Sequence, residues 1–223
     1  MKGLVLLFLI VSTTLVAQES TDNAFAKANT QDSQPLGEHR AQAKLYQEQL
    51  NATYANPDST ILSKKQLRTF KGLKFWPINQ EFRVRATFEP AKSPIPVDMA
   101  TSTGVPRVYN TYGKVFFEID GKEQELTIFQ NPMFVAKPNH KYKDHLLLGF
   151  TDYTSGDGSY GGGRYVDLLI TDITKENTVW IDFNKAYNPY CAYTTGYSCA
   201  IPPEKNDLKV RIEAGVKDYQ KAY

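Results

Sequence analysis

From Phe82 to Ala214, apolar side chains recur at every second position in run after run, and no helical stretch separates the runs. Phe82, Val84, Ala86 and Phe88 alternate with Arg83, Arg85 and Thr87. A period of two puts one set on a buried face and the other in water. Val115–Ile119 and Glu125–Phe129 flank Asp120-Gly121, a pair that favours a two-residue hairpin turn because both positions tolerate positive φ. Pro90, Pro94 and Pro96 mark a loop or a sheet edge, since proline cannot donate to a ladder. Further alternating runs surround Leu146–Phe150, Arg164–Ile170, Val179–Phe183 and Leu208–Ala214. Eight to nine strands without helical crossovers predict a mainly β domain over residues 71–223, an antiparallel β-sandwich or barrel.

The chain ahead of this domain reads in three parts. Met1-Lys2 and an apolar stretch of about fourteen residues, Gly3 to Val16, precede Ala17. Spanning a bilayer takes roughly twenty residues, so residues 1–17 read as a signal peptide and the mature chain is expected to carry no transmembrane segment. The expected location is therefore the periplasm or the exterior. Residues 18–35 are polar up to Pro35 and read as a disordered linker, because they bury too little to offset their ordering entropy. Residues 36–70 read as a helical segment packing on the β-domain. Glu38–Tyr54 is one helix with Leu45, Tyr46 and Leu50 as its apolar stripe, and Ser63-Lys64-Lys65-Gln66 has capping-box spacing for a second. Removing residues 1–17 removes one lysine and takes the net charge from +2 to +1. A balance so close to neutral gives no electrostatic basis for nucleic-acid binding.

The stretch between the later strands is glycine-rich. Gly156-Asp157-Gly158-Ser159-Tyr160-Gly161 fits a dinucleotide pattern in letters only, because a strand follows it where that motif requires a helix. It reads as a loop between two strands. Pairing Phe150 with Val166, Leu148 with Leu168 and Leu146 with Ile170 sets Asp152 opposite Arg164 at the loop base. A partly buried charge needs a partner, so Asp152 and Arg164 are expected to form an ion pair; Arg164 anchoring a ligand is the rival role. After Phe183 come Tyr187, Asn188, Tyr190, Tyr193 and Tyr197. Tyrosine joins a flat apolar body to a hydroxyl, which suits a sugar or peptide surface and equally suits packing at the end of a β-fold.

Several ordered segments resemble one bacterial and archaeal family. They are Thr101-Ser102-Thr103-Gly104, Tyr160–Tyr165, Asp182-Phe183-Asn184, Tyr187-Asn188-Pro189 with Cys191-Ala192-Tyr193, Cys199 with Pro202-Pro203-Glu204, and Glu213-Ala214-Gly215. The family is the domain of unknown function 1684, and the resemblance spans roughly residues 36–215. It implies no activity. Similar sequences tend to have Ala-Gly-Glu-Lys where this chain has Ala214-Gly215-Val216-Lys217, so a glutamate there cannot be essential.

Chemistry-bearing residues are few. The histidines are His39, His140 and His145, and no third ligand completes a site with the last two, so no metal and no cofactor is expected. Cys191 and Cys199 lie eight apart in an exported chain, which favours a disulfide over two free thiols or half a metal site. Two function classes stay open. One is a binding or interaction module for a small molecule or carbohydrate, with a polar aromatic pocket at the strand ends. Its lining would be Tyr160, Gly162, Arg164, Asp182, Asn184, Tyr187, Asn188 and Tyr193. The other is an envelope hydrolase using a carboxylate pair such as Asp152 and Asp182. Whether the chain is an enzyme, and its oligomeric state, are not written in the sequence.

Overall fold

The computed structural model describes residues 36–137 and 139–219; the expected signal peptide and linker lie outside the described residues. The alternating runs form six antiparallel strands: β1 (Arg83–Met99), β2 (Arg107–Ile119), β3 (Lys122–Gln130), β4 (His145–Phe150), β5 (Arg164–Leu169) and β6 (Thr178–Asp182). They form one sheet in the order β5-β4-β3-β2-β1-β6. It curls into a nearly closed barrel, and its two edge strands, β5 and β6, approach without pairing. Six strands replace the expected eight to nine.

The hairpin joining β2 and β3 turns on Asp120 and Gly121, at φ 53° and 65°, as the dipeptide predicts. The prolines lie within β1, not in a loop. β6 pairs only with Arg83–Thr87, so the rest of β1 is a free edge where missing N–H groups cost nothing, and the ladder to β2 slips between Pro90 and Ile95. Inward-facing side chains such as Phe117, Leu126, Ile128, Leu148, Phe150 and Ile181 fill the barrel.

The β4–β5 register differs from expectation. Phe150 pairs with Arg164, Leu148 with Val166 and Leu146 with Leu168, a shift of two residues. Such a shift leaves every side chain on its own face, so the hydrophobic pattern cannot detect it. Asp152 and Arg164 still meet, at 3.3 Å, because the arginine reaches past the end of the ladder.

The final alternating run is not a strand of the sheet. Leu208, Val210, Ile212 and Ala214 are buried and Lys209, Arg211 and Glu213 exposed, as the pattern predicts, yet no ladder forms. The segment joins the main core. Its backbone bonds to the loop after β4, Leu208 N–H to the Thr151 carbonyl at 2.8 Å and Tyr153 N–H to the Val210 carbonyl at 3.0 Å.

Two helices lead into the barrel, α1 (Leu36–Ala55) and α2 (Lys64–Thr69). Ser63 and Gln66 make the expected capping box at α2. On α1, the line His39, Ala43, Tyr46, Leu50 and Tyr54 turns inward, and Leu45 is left 54% exposed. Of the expected stripe, Tyr46 and Leu50 turn inward and Leu45 does not; the rest of the inward line is a histidine, an alanine and a tyrosine, which carry little hydrophobic signal. A four-residue helix, α3 (Pro132–Val135), follows β3.

Candidate functional site

The loops after β4 and β6 leave the same end of the barrel and meet there. Pro202 covers Gly163, whose backbone (φ 84°) would set any Cβ 2.7 Å from the Phe150 carbonyl oxygen. Tyr160, Tyr187 and Tyr193 join one apolar cluster with Tyr54, Leu62, Phe70 and Leu73 from the N-terminal segment. The space between the loops is thus filled by the chain itself.

Arg164 lies at the bottom of this arrangement with no exposed surface. Nη2 donates to the Ile212 carbonyl at 2.8 Å and to Asp152 Oδ2 and Thr154 Oγ1 at 3.3 Å each, and Nη1 donates to the Ala214 carbonyl. The guanidinium carbon stands 5.2 Å from the centre of the Phe150 ring, and Nε has no hydrogen-bond partner among the described residues. Burial lowers the Arg164 pKa to about 10, against the opposing pull of Asp152. Asp152 in turn accepts the Ile212 amide at 2.6 Å. An extended backbone buried outside a ladder must find partners for its N–H and C=O groups, and this ion pair supplies them.

The other expected site residues divide. The Gly162 Cα faces the Tyr160 ring, which a Cβ would strike at 2.5 Å. Asn188 is fully buried and donates to the Lys217 carbonyl at 3.1 Å. Tyr193 is 1% exposed, its ring centre 4.7 Å from that of Tyr54. Asp182 and Asn184 belong to a different place, the seam where β5 and β6 fail to pair, and Tyr187 reaches that seam from the cluster with its hydroxyl.

At the seam α1 lies across the gap. His39 Nε2 sits 3.1 Å from Asp182 Oδ2, both groups buried, and Gln47 donates to the Asn184 carbonyl at 3.0 Å. Asn184 holds the other Asp182 oxygen through its backbone N–H at 3.1 Å and its amide at 2.9 Å. On the β5 side, Asp167 Oδ1 accepts from Tyr187 OH at 2.7 Å and from His145 Nε2 at 2.8 Å. Burial, then the neighbouring Asp167, hold the Tyr187 hydroxyl well above its ordinary pKa, so it remains a donor. Asp172 accepts the Leu169 amide at 2.7 Å.

These carboxylates border a cavity of about 250 Å³. Trp180, with Arg83 stacked 3.8 Å from its ring centre, and Lys185 line one side, while Gln42 of α1 lies at the rim. A larger groove of about 690 Å³ opens at the barrel mouth between Phe82, Tyr153, Glu118 and Arg211. Its charged side chains are exposed, and Arg211 is already paired with Asp157 and Glu213. At the seam Asp167 and Asp182 are each held by two side chains, an arrangement that presents a fixed set of acceptors to a ligand.

Sequence reasoning missed Arg83, Asp167, Trp180, Lys185 and His39 as partners in one place. Asp167 interrupts an apolar run and lies on the outward face of β5, and Trp180 and Asp182 share the outward face of β6. That β5 and β6 are the facing edges is a matter of strand order, which the alternation does not encode.

The Cys191 and Cys199 sulfurs stand at disulfide distance, with Cα atoms 6.4 Å apart. Backbone and hydroxyl bonds tie their loop to the Thr101–Gly104 turn. Ser102 N–H donates to the Cys199 carbonyl at 2.9 Å, and Cys199 N–H donates to Ser102 Oγ at 3.0 Å.

Residues 68–217 match the family described as protein of unknown function (DUF1684). The fold is similar to the solution NMR structure of an uncharacterised protein of Haloarcula marismortui, with a TM-score of 0.63 and 27% identity over 81% of this chain and 95% of that one. No curated protein matches the chain.

Proposed function

Since this chain belongs to the DUF1684 family, whose function is unknown, we propose from its geometry that it is an exported binding module. It holds a small polar molecule, sugars among the candidates, in the seam cavity. One observation carries the reading: two of the carboxylates bordering a cavity of about 250 Å³ are each held by two side chains of the protein. Tyr187 and His145 fix Asp167, and His39 and Asn184 fix Asp182. The volume falls a little below the ~300 Å³ at which drug-sized ligand sites begin, a size suited to a single ring. Trp180, with Arg83 stacked on its ring, brings an aromatic group beside these acceptors, and aromatic rings next to hydrogen-bonding groups are a combination that suits sugars. Support for the hydrolase reading is weaker. The side chain of Asp152 has no exposed surface and is consumed by Arg164, Thr154 and Ile212, so the pair Asp152 and Asp182 presents no open cleft.

Export enters the proposal through the leader-like residues 1–17 and the cysteine pair at disulfide distance.

Amide chemical shifts test the site. Titrating ¹⁵N-labelled protein with a panel of sugars, amino sugars and free amino acids should move Gln42, Asp167, Trp180 and Lys185 together for at least one compound. Shifts gathered at Glu118, Tyr153 and Arg211 would transfer the site to the mouth groove. A panel with no member that moves the seam amides would overturn the reading.

A further inference from the structure

We propose that the Cys191–Cys199 pair is a redox site, a bridge that exchanges with a dithiol and takes two electrons from it. The proposal goes beyond the seam cavity and does not depend on a ligand there.

Hydrogen-bond donors around the two sulfurs carry it. Ser102 Oγ lies 3.0 Å from Cys191 Sγ, and the Cys191 N–H donates to Cys199 Sγ at 3.3 Å. A bridged sulfur is a weak acceptor and gains little from either donor. A thiolate gains a charge-assisted bond from each. Ser102 Oγ also accepts the Cys199 N–H at 3.0 Å and lies 3.1 Å from the Tyr197 carbonyl oxygen. Its single proton therefore has two acceptors within reach. It serves the carbonyl while the bridge is closed, and turns to Cys191 Sγ when that sulfur becomes anionic. When Cys191 is protonated instead, the Tyr197 carbonyl, 3.2 Å from Sγ, accepts its S–H. Partners for the open form are in place before the bridge opens.

The surroundings allow opening without moving the loop. Both cysteines are half-buried, so each keeps part of its surface in solvent, and accessible bridges are the ones that exchange. Ser102 N–H donates to the Cys199 carbonyl at 2.9 Å, Ile201 N–H to the Ala100 carbonyl at 2.8 Å, and Ser198 Oγ to Thr101 Oγ1 at 3.0 Å. On the other side, the buried Asn188 donates to the Lys217 carbonyl at 3.1 Å, three residues before Cys191. Each arm of the loop is thus tied down whether or not the sulfurs are joined.

The exchange takes two steps. A thiolate of the dithiol attacks Cys199 Sγ; a new S–S bond forms there, the Cys191–Cys199 bond breaks, and Cys191 leaves as the thiolate that Ser102 receives. The second thiolate of the dithiol then attacks its own sulfur in the mixed disulfide, and Cys199 leaves as a thiolate beside the Cys191 N–H. The dithiol ends as an intramolecular disulfide, having given up two electrons, and its two protons reach the cysteines through solvent. A monothiol does not suffice. With Cys191 held next to Cys199, its thiolate attacks Cys199 Sγ again and expels the monothiol.

Dithiothreitol is the probe. The oxidised protein, folded and in denaturant, is treated with it at pH 7, and the thiols are trapped at intervals and counted by mass. The folded protein should lose its bridge about three times faster than the denatured chain, because a leaving thiolate of lower pKa departs faster. Ser102→Ala should slow the folded rate by a similar factor, and Ser102→Thr, which keeps the hydroxyl, should restore it. A purely structural bridge behaves in the opposite way: folding shields it, and losing Ser102 loosens its loop and speeds reduction. Iodoacetamide modification of the Cys199→Ser protein against pH gives a second readout. Cys191 should titrate below the ordinary cysteine value of about 8.5, and Ser102→Ala should raise the midpoint. Glutathione at the same thiol concentration should leave most of the bridge closed. Slower reduction in the folded state, faster reduction of Ser102→Ala, a Cys191 midpoint at the ordinary value, or complete reduction by glutathione would each overturn the proposal.

Discussion

Arg164 does for Ile212 what a neighbouring strand does elsewhere in the barrel. Its Nη2 donates to the Ile212 carbonyl at 2.8 Å, and its ion-pair partner Asp152 accepts the Ile212 amide at 2.6 Å. Both hydrogen-bonding groups of a buried residue are thereby satisfied by side chains in place of a ladder. That requirement explains a fully buried arginine: isolated burial of a charge is expensive, and the cost is offset only where pairing and hydrogen bonds are complete.

Arg164→Leu should therefore destabilise the fold by about 3–5 kcal/mol, the range for breaking a buried pair by removing one partner. Denaturant titration measures this. Amide exchange in the segment 208–216 should accelerate more than exchange in β2 or β3. Arg164→Lys should rescue little, because one ammonium cannot reach the separate acceptors that the forked guanidinium serves. A loss below about 1 kcal/mol would contradict the structural role.

The cysteines are predicted to form a bridge in exported material. Thiol counting under denaturing, non-reducing conditions should find none free. On the chain-entropy account, a loop of about eight residues contributes roughly 2.5 kcal/mol, so Cys191→Ser with Cys199→Ser should lower stability by about that amount. The hydrogen bonds from Ser102 to this loop keep the reduced form near its native shape, so the fold should survive the double change.

Asp207 yields a pH prediction. Hydrogen bonds from Lys209 and from Thr151 Oγ1, the latter at 2.8 Å, hold its carboxyl below the ordinary aspartate value in the folded state. A group depressed by folding stabilises fully above its unfolded pKa, and that contribution disappears as pH falls through the lower, folded value. Carboxyl ¹³C titration should place the Asp207 midpoint below that of an unfolded reference peptide. Thr151→Val should raise it, and an unchanged midpoint in that variant would rule out the hydroxyl as a cause.

Export predicts a mature chain that begins near Gln18. N-terminal sequencing of protein from the native host decides the matter, and an intact Met1 in the cytosolic fraction would refute it.

Alternation by twos determined that this chain is β-rich and antiparallel, and which side chains of each run face inward, because inward and outward positions differ in the cost of leaving water. Local chemistry was equally legible at Asp120-Gly121 and at the Ser63–Gln66 capping box, where partners lie within three residues. The meeting of Asp152 with Arg164 could be expected from the cost of burying either alone. Strand order could not be read, nor could the two-residue register of β4 on β5. The same apolar face is presented in either register, so the difference resides in packing between distant segments. The same limit made Leu208–Ala214 look like a strand, since alternate burial does not say whether a ladder or a guanidinium satisfies the backbone. Only the tertiary structure brought His39 onto Asp182 and set Asp167 across from Trp180, because the open edges of a nearly closed barrel come from opposite ends of its strand order and meet only when the sheet curls.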